Sequence, residues 1–441
     1  MNYHLNHTEN KIVLILRIPL ISICFTFLTA IIPCTPVNAQ TINYDESQVG
    51  DYILPDPLVD NKGLKVTSKA AWLTKRRHEI LALFEQHVYG KFPGTTRQIH
   101  FKVTSVDTKA LGGKATRKEI TIFFTSLPGS PGMDVLLYLP NHVMMPVPVF
   151  MGLNFYGNHT IHSDPKITLS DGWMMKNENY HIADHKATEA SRGVQANRWQ
   201  VDSLIAHGYG IATAYYGDLE ADHVDGWKTG IRTTLQNELK LKPADWGAIG
   251  AWSWGLSRMM DYLQTDSLVN SLQIAITGHS RLGKAALWAA ANDERFAMII
   301  SNNSGEGGTS LSRRNFGETI ERINTSFPYW FSPHYKEYNK NVHALPVDQH
   351  MLLALMAPRP LYIASAEDDL WADPRGEFLS GKNAATVYAL FGKEGIETET
   401  FPPVETPVGE QIRYHIRKGK HDITMYDWME YIAFADKHFR Y

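Results

Sequence analysis

The chain has 441 residues, of which 44 % are hydrophobic, with 11 tryptophans, 20 tyrosines and a formal net charge of −3. That composition builds a large buried core and excludes a disordered or collagen-like chain; balanced charge without a long Lys/Arg run also leaves nucleic acid no electrostatic footprint. Both cysteines, Cys24 and Cys34, fall within residues 1–39, so the remainder can be neither a disulfide scaffold, a thiol enzyme nor a cysteine-ligated metal protein.

In chain order, residues 1–39 come first. Lys11 and Arg17 precede an almost wholly apolar run over 18–33, and Val37-Asn38-Ala39 offers a small residue before Gln40. This pattern predicts a signal peptide cleaved after Ala39, the alternative being an uncleaved N-terminal anchor. Export without disulfides suits a bacterial periplasmic or secreted protein, free of the membrane once the leader is removed. Residues 41–70 carry scattered Pro and Gly and are expected to wrap the surface. Helical spacing over 68–88 is followed by strand patterns over 99–106, 118–125, 135–139 and 147–153. A polar stretch over 158–193 holds His159, His162, His181 and His185. The His-x-x-His spacing at 159 and 162 lies on a predicted loop and is read as loop polarity rather than as a metal site.

Downstream the order is regular. A helix over 198–207 leads to a strand over 210–216; a helix over 246–263 leads to a strand over 272–277 and a helix over 281–291. A strand over 296–301, an irregular insertion to about residue 346, a helix over 348–355 and a strand over 360–365 follow. A strand over 411–417 and a helix over 424–439 close the chain. Nine candidate strands, alternating with helices over most of the length, predict one α/β domain over 40–441. Its sheet is mostly parallel, has about eight or more strands, and is covered by helices on both faces, with antiparallel strands at the start.

The chemistry concentrates in Leu272-Gln-Ile-Ala-Ile-Thr-Gly278-His279-Ser280-Arg281-Leu282-Gly283-Lys284. It reads as a buried strand, a small-residue turn presenting a serine, and a helix that starts at once. A serine held there meets the positive end of the helix and backbone N–H groups set for an oxyanion. Serine needs a base and an orienting carboxylate, which in an α/β-hydrolase sheet follow it as acid and then histidine at later strand ends. The strand over 360–365 runs into Glu367-Asp368-Asp369, where a small residue, two fillers and then Asp select Asp369. The strand over 411–417 ends in Lys418-Gly419-Lys420-His421, which puts His421 in the loop where the base belongs and leaves His415 inside the strand. Ser280, Asp369 and His421 are thus the expected triad. The second glycine of the elbow is displaced by one, so Arg281 directly follows the nucleophile: its N–H, and its charge, can serve the oxyanion. Lys284 lies one helical turn after Ser280 and can face the same cleft.

Further motifs accompany this one: Gly152-Leu-Asn-Phe-Tyr-Gly-Asn158, Trp252-Ser-Trp-Gly-Leu-Ser-Arg258, Asn303-Ser-Gly-Glu-Gly-Gly308, Arg314-Asn-Phe-Gly-Glu318, Leu370-Trp-Ala-Asp-Pro374 and Gly419-Lys-His421. Together with Gly278–Lys284 they resemble the glucuronoyl esterases, the 4-O-methyl-glucuronoyl methylesterases, especially their bacterial branch. The resemblance implies a triad of Ser280, His421 and Asp369, with oxyanion assistance from Arg281. It also implies contacts from Lys284, Glu318 and Trp371 to a uronic acid. Fungal-type members carry their acid at the position of Asn303, which holds no charge here; Asp369 then supplies the acid, with Glu306 the alternative nearby. The implied reaction is hydrolysis of the ester between 4-O-methyl-glucuronic acid of glucuronoxylan and lignin alcohols, by a monomer needing no metal or organic cofactor. Two rivals stand beside it: an acetylxylan-type carbohydrate deacetylase with the same triad, and a non-catalytic carbohydrate-binding protein.

Overall fold

Strands whose side chains are apolar on both faces can only lie inside a sheet covered on both sides, and the central strands here are of that kind. The computed structural model describes residues 42–96, 98–126, 132–144 and 146–439; the expected leader, with Cys24 and Cys34, lies outside the described residues. Nine strands form one sheet: β1 (His100–Ala110), β2 (Ala115–Phe123), β3 (Gly132–Pro140), β4 (Val147–Asn154), β5 (Gly210–Tyr215), β6 (Val269–His279), β7 (Met298–Asn302), β8 (Leu361–Ala366) and β9 (Ile412–Arg417). Their spatial order is β1-β2-β3-β5-β4-β6-β7-β8-β9. β1, β2 and β3 are antiparallel neighbours, β3 pairs antiparallel with β5, and every pairing from β5 to β9 is parallel. This is the α/β-hydrolase arrangement.

The period-two alternation divides the core. Val149, Met151, Ile274, Ile276, Ile299 and Ile363 point to one side, where they meet α1 (Arg77–Phe84), α3 (Ala248–Leu263), α4 (Arg281–Asn292), α6 (Gln349–Ala354) and α7 (Pro374–Leu390). Phe150, Ala275, Ile300 and Tyr362 point to the other side, against α2 (Val201–Ala206) and α8 (Met425–Phe439). A short helix, α5 (Ile320–Ser326), interrupts the insertion after β7, which is otherwise irregular as expected.

Two elements differ from expectation. The helical stretch near residue 70 contains two π-type turns, Trp72–Arg76 and Glu85–Tyr89, on either side of α1. The 17-residue helix α7 was not anticipated at all. Its Gly376 and Gly381 speak against a helix on propensity. Yet a side chain at 381 would stand 2.7 Å from Ile363 Cδ1, so the glycine is what lets α7 close onto the sheet. Among the described residues no helix is long and apolar enough to cross a membrane.

Candidate active site

Four successive parallel strands, β6 to β9, deliver residues to one rim, because the loops after their carboxyl ends all open there. After β6 the chain turns through Ser280 at φ +58° and ψ −131°, a conformation that is strained for a residue with a Cβ. The turn is held by hydrogen bonds. Ser280 N–H donates to Asn302 O of β7 at 2.9 Å, and Gly283 N–H donates to Ser280 O at 2.9 Å. A Cβ at 278 would sit 2.1 Å from Leu282 O, so only glycine lets strand and helix approach this closely.

The loops after β8 and β9 are knitted together. Glu367 N–H donates to Arg417 O at 2.9 Å and Asp368 N–H to Gly419 O at 3.1 Å. Their side chains meet in turn: His421 Nδ1 donates to Asp369 Oδ2 at 2.6 Å. A carboxylate can only accept, so Nδ1 carries a proton, and in the neutral imidazole Nε2 is the nitrogen with the lone pair. The imidazole side chain is 40 % exposed against 4 % for the carboxylate, so the pair opens to the cleft at its histidine end. The His421 ring lies 4.5 Å, centroid to centroid, from that of His279, the residue before Ser280. Asn303 Nδ2 donates to the same Oδ2 at 2.7 Å. Where the sequence showed only a missing charge, the amide steers the carboxylate.

Arg281 emerges from the first turn of α4 beside Asp222, to which its Nη1 donates. The guanidinium stands over Trp330 at 4.7 Å, with Phe327 at 5.6 Å and Phe155 at 5.7 Å. Burial opposes its charge most strongly, but Asp222 together with Tyr216 and Tyr329 carries the net shift of its pKa upward. Lys284 is buried, donating from Nζ to Ser304 O and Glu306 O, each at 2.6 Å, with Glu318 Oε2 at 3.7 Å. Burial pulls the ammonium down despite Glu318 and Glu306. Glu318 is pushed up by burial against the pull of Lys284 and Trp371, and its backbone N–H donates to Trp371 O at 2.9 Å. Lys284, Glu318 and Trp371 therefore form one connected group, with the half-buried indole outermost and the ammonium behind it.

Glu306 faces elsewhere. Its Oε1 accepts from Gly307 N–H at 2.9 Å, from Ser312 Oγ at 2.7 Å and from the Tyr335 hydroxyl. Burial pushes its pKa up to about 8. The carboxylate bonded to His421 is that of Asp369. His159 bonds Ser191 and His162 bonds Asp202, so the His-x-x-His pair is divided between different partners. Among the described residues no group of three or more His, Cys, Asp or Glu could hold a metal ion.

Several supporting residues escaped the reading of the sequence. Asp427, at the start of α8, accepts from His415 Nε2 at 3.0 Å, Asn302 Nδ2 at 3.0 Å and Arg417 Nε at 2.8 Å. Arg417 in turn donates to Lys418 O at 2.8 Å and Lys420 O at 3.0 Å, and also to Asp422 O, bracketing His421. Because Asn302 gives its amide hydrogens to Asp427 and Tyr431, its oxygen faces His279 Nδ1 at 2.7 Å. His279 is thereby held as the Nδ1–H tautomer, and burial keeps it neutral. The signal for this hub was faint: a buried-looking His415 inside a strand and an Asp three residues into a helix.

The chain is similar in sequence to the carbohydrate esterase MZ0003 of an unknown prokaryotic organism, with 49 % identity over 92 % of this chain and 94 % of that protein. It belongs to carbohydrate esterase family 15, the glucuronoyl esterases. The glucuronoyl esterase from Solibacter usitatus superposes with a TM-score of 0.84 at 50 % identity, covering 89 % of this chain and 99 % of that one. A glucuronoyl esterase of family 15 from Teredinibacter turnerae gives 0.74 at 32 % identity, covering 91 % and 92 %. The profile of the family described as glucuronyl esterase, fungi, matches residues 210–392, the stretch from β5 to the end of α7. Membership makes the protein a carboxylic ester hydrolase of the serine type.

Proposed function

We propose that this glucuronoyl esterase cleaves the ester between 4-O-methyl-glucuronic acid of glucuronoxylan and a lignin alcohol, with Ser280, His421 and Asp369 as its triad. The observation that carries the reading is the hydrogen-bonded His421–Asp369 pair packed against His279, one residue before the strained Ser280. Ser280 Oγ attacks the C6 carbonyl as His421 Nε2 takes its proton. The imidazolium is balanced through Nδ1–H by Asp369. The oxyanion of the tetrahedral intermediate is met by Arg281, through its N–H at the helix start and its guanidinium. His421 then protonates the departing alcohol, and with that proton gone it activates water to free the uronic acid.

On the acid side, Trp371 offers an indole face to the sugar ring and Glu318 accepts from its hydroxyls. Lys284, behind Glu318, fixes that carboxylate in place. The decisive experiment compares steady-state turnover of benzyl glucuronate, benzyl galacturonate and acetylated xylan by the chain from Gln40 onward. Preferred cleavage of the glucuronate ester, abolished in Ser280→Ala, is expected. Cleavage of acetylated xylan alone would overturn the substrate assignment in favour of a deacetylase, and turnover of none would favour a binding protein. The same reading places the protein outside the cytoplasm, which N-terminal sequencing of exported material tests by beginning at Gln40.

A further inference from the structure

We propose that Asp222 is a positioning residue for catalysis. It aims the guanidinium of Arg281 and cancels its charge, so that the site stabilises the oxyanion without holding the carboxylate product. The inference rests on the reading of Arg281 as an oxyanion donor. Asp222 is buried and lies just beyond β5, two strands away from β6 in the sheet. Its Oδ1 accepts from the Tyr329 hydroxyl and from Trp330 Nε1, each at 2.8 Å. Its Oδ2 accepts from the Tyr216 hydroxyl at 3.0 Å and from Arg281 Nη1. With both oxygens gripped by neutral donors on three sides, the carboxylate is fixed independently of the arginine and becomes a rigid anchor for it.

The arginine has little else to hold it. Its contacts are the faces of Phe155, Phe327 and Trp330, which attract a cation but set no direction within the ring plane. Arg281 Nε is buried without a hydrogen-bond partner, so one donor is committed to Asp222 while another remains unspent. A planar fork held at one prong has its remaining N–H directions determined, which is the preorganisation that oxyanion stabilisation requires.

Charge gives the second consequence. The reactant is a neutral ester, the transition state carries an oxyanion, and the product is a full carboxylate. An unbalanced guanidinium in an apolar cage would favour the product most, and would slow its release. Paired with Asp222 the group is neutral overall. It then acts through directed hydrogen bonds, which reward the oxyanion at its own position rather than negative charge in general.

The test measures kcat, KM and the inhibition constant of the glucuronate product for wild type, Asp222→Asn, Arg281→Ala and the double variant. For Asp222→Asn, kcat falls about 10- to 100-fold while product inhibition tightens several-fold; a merely structural role would weaken both turnover and product binding. In the Arg281→Ala background Asp222→Asn costs nothing further, because its effect acts through the arginine. Undiminished kcat in Arg281→Ala would overturn the reading of Arg281 itself. A fall in Arg281→Ala, with Asp222→Asn leaving kcat unchanged or adding its full effect to that of Arg281→Ala, would overturn the role of Asp222 alone. Tyr329→Phe removes one donor from Asp222 at a half-buried position and serves where Asp222→Asn does not fold. It shows the same pair of changes, smaller in size, and unchanged kcat and product inhibition in Tyr329→Phe would also overturn the proposal.

Discussion

Replacing Asp369 by Asn separates two contributions that a triad acid makes to its histidine. One is charge: at about 4 Å and an effective dielectric of about 20, a carboxylate stabilises an imidazolium by about 4 kcal/mol. His421 is 40 % exposed, so water screens roughly half of that, and about 2 kcal/mol, or about 30-fold in kcat, is at stake. The other is tautomer control, whose loss in such triads costs about 10⁴-fold when the new amide turns its NH2 toward the ring. Here Asn303 Nδ2 donates to the same Oδ2 that accepts from His421. It therefore selects the rotamer in which Asn at 369 presents its carbonyl oxygen to both neighbours. Asp369→Asn alone is expected to lose about 30-fold in kcat, and Asp369→Asn with Asn303→Leu about 10³- to 10⁴-fold. Glu306→Gln should stay within about 3-fold of wild type. Its carboxyl bonds Tyr335 and Ser312 and, with a pKa pushed up to about 8, is mostly protonated at neutral pH, a state that Gln resembles. The assay is steady-state hydrolysis of benzyl glucuronate at pH 7, with Tm measured on each variant to confirm folding. Glu306→Gln losing as much as Asp369→Asn would refute the assignment of the acid, and an Asn303→Leu addition without effect would refute the account of the rotamer.

The strain at Ser280 predicts a trade of activity for stability. Ser280→Gly should abolish turnover and raise stability by about 1 kcal/mol over Ser280→Ala in urea unfolding, because only glycine adopts φ +58° without cost. Glu377 is buried in α7, its pKa pushed up to about 7 by burial although Ser365, Thr309 and Gly305 N–H all donate to it. Its folded value lies above its unfolded one, so its contribution is full below about pH 4.5 and is lost as pH rises through about 7. Tm measured from pH 5 to pH 8 should therefore fall more in wild type than in Glu377→Gln, and equal slopes would rule out this group. Residues 43–46 brace the loop that carries Glu318. Gly317 N–H donates to Asn43 O at 2.8 Å, and Arg314 Nη2 to Glu46 Oε1 at 2.6 Å. A chain starting at residue 49 should show a several-fold higher KM for glucuronate esters with kcat nearly unchanged; equal values of both would mean the loop stands without the brace.

How much of this could be read in the sequence depended on whether a residue's role follows from its own strand. Ser280, Asp369 and His421 each sit just past a strand whose apolar run is plain, and strand order in a parallel sheet then brings the ends together. The bond between Asp369 and His421, and the packing of His421 on His279 beside Ser280, are consequences of local signals added up. Asp222 carries no such signal, because its partners Arg281, Tyr329 and Trp330 come from the elbow and from the irregular insertion, which no periodicity orients. The i, i+4 spacing from Ser280 placed Lys284 on the correct side of α4. It could not reveal that Glu318 would stand beside the ammonium, or that two backbone carbonyls would take its hydrogens. α7 was hidden because its glycines serve close approach and not helix propensity, Gly381 to Ile363 of β8 and Gly376 to Asp373 and Ser310.

The residues that were hard to read share a physical task. A hydrolase rim is made of loops, and loops alone do not hold an imidazole or a guanidinium to within a fraction of an ångström. Here three side chains of the candidate site are tied to buried carboxylates that other donors also hold: His421 to Asp369, which accepts from Asn303 as well, Arg281 to Asp222, and Arg417, which brackets the backbone around His421, to Asp427. Buried carboxylates cost desolvation, and they persist only where several donors converge on them. Convergence of that kind is possible only between elements already fixed by packing: Asp369 follows β8, Asp427 lies in the first turn of α8, and Asp222 is gripped by Tyr216, Tyr329 and Trp330. The precision of the site is thus borrowed from the two cores on either side of the sheet. A core substitution that loosens α8 against β7, such as Tyr431→Phe, removes the hydroxyl oxygen that accepts from the Asn302 amide. It should therefore lower kcat through His279 and His421 although no reacting atom has been touched.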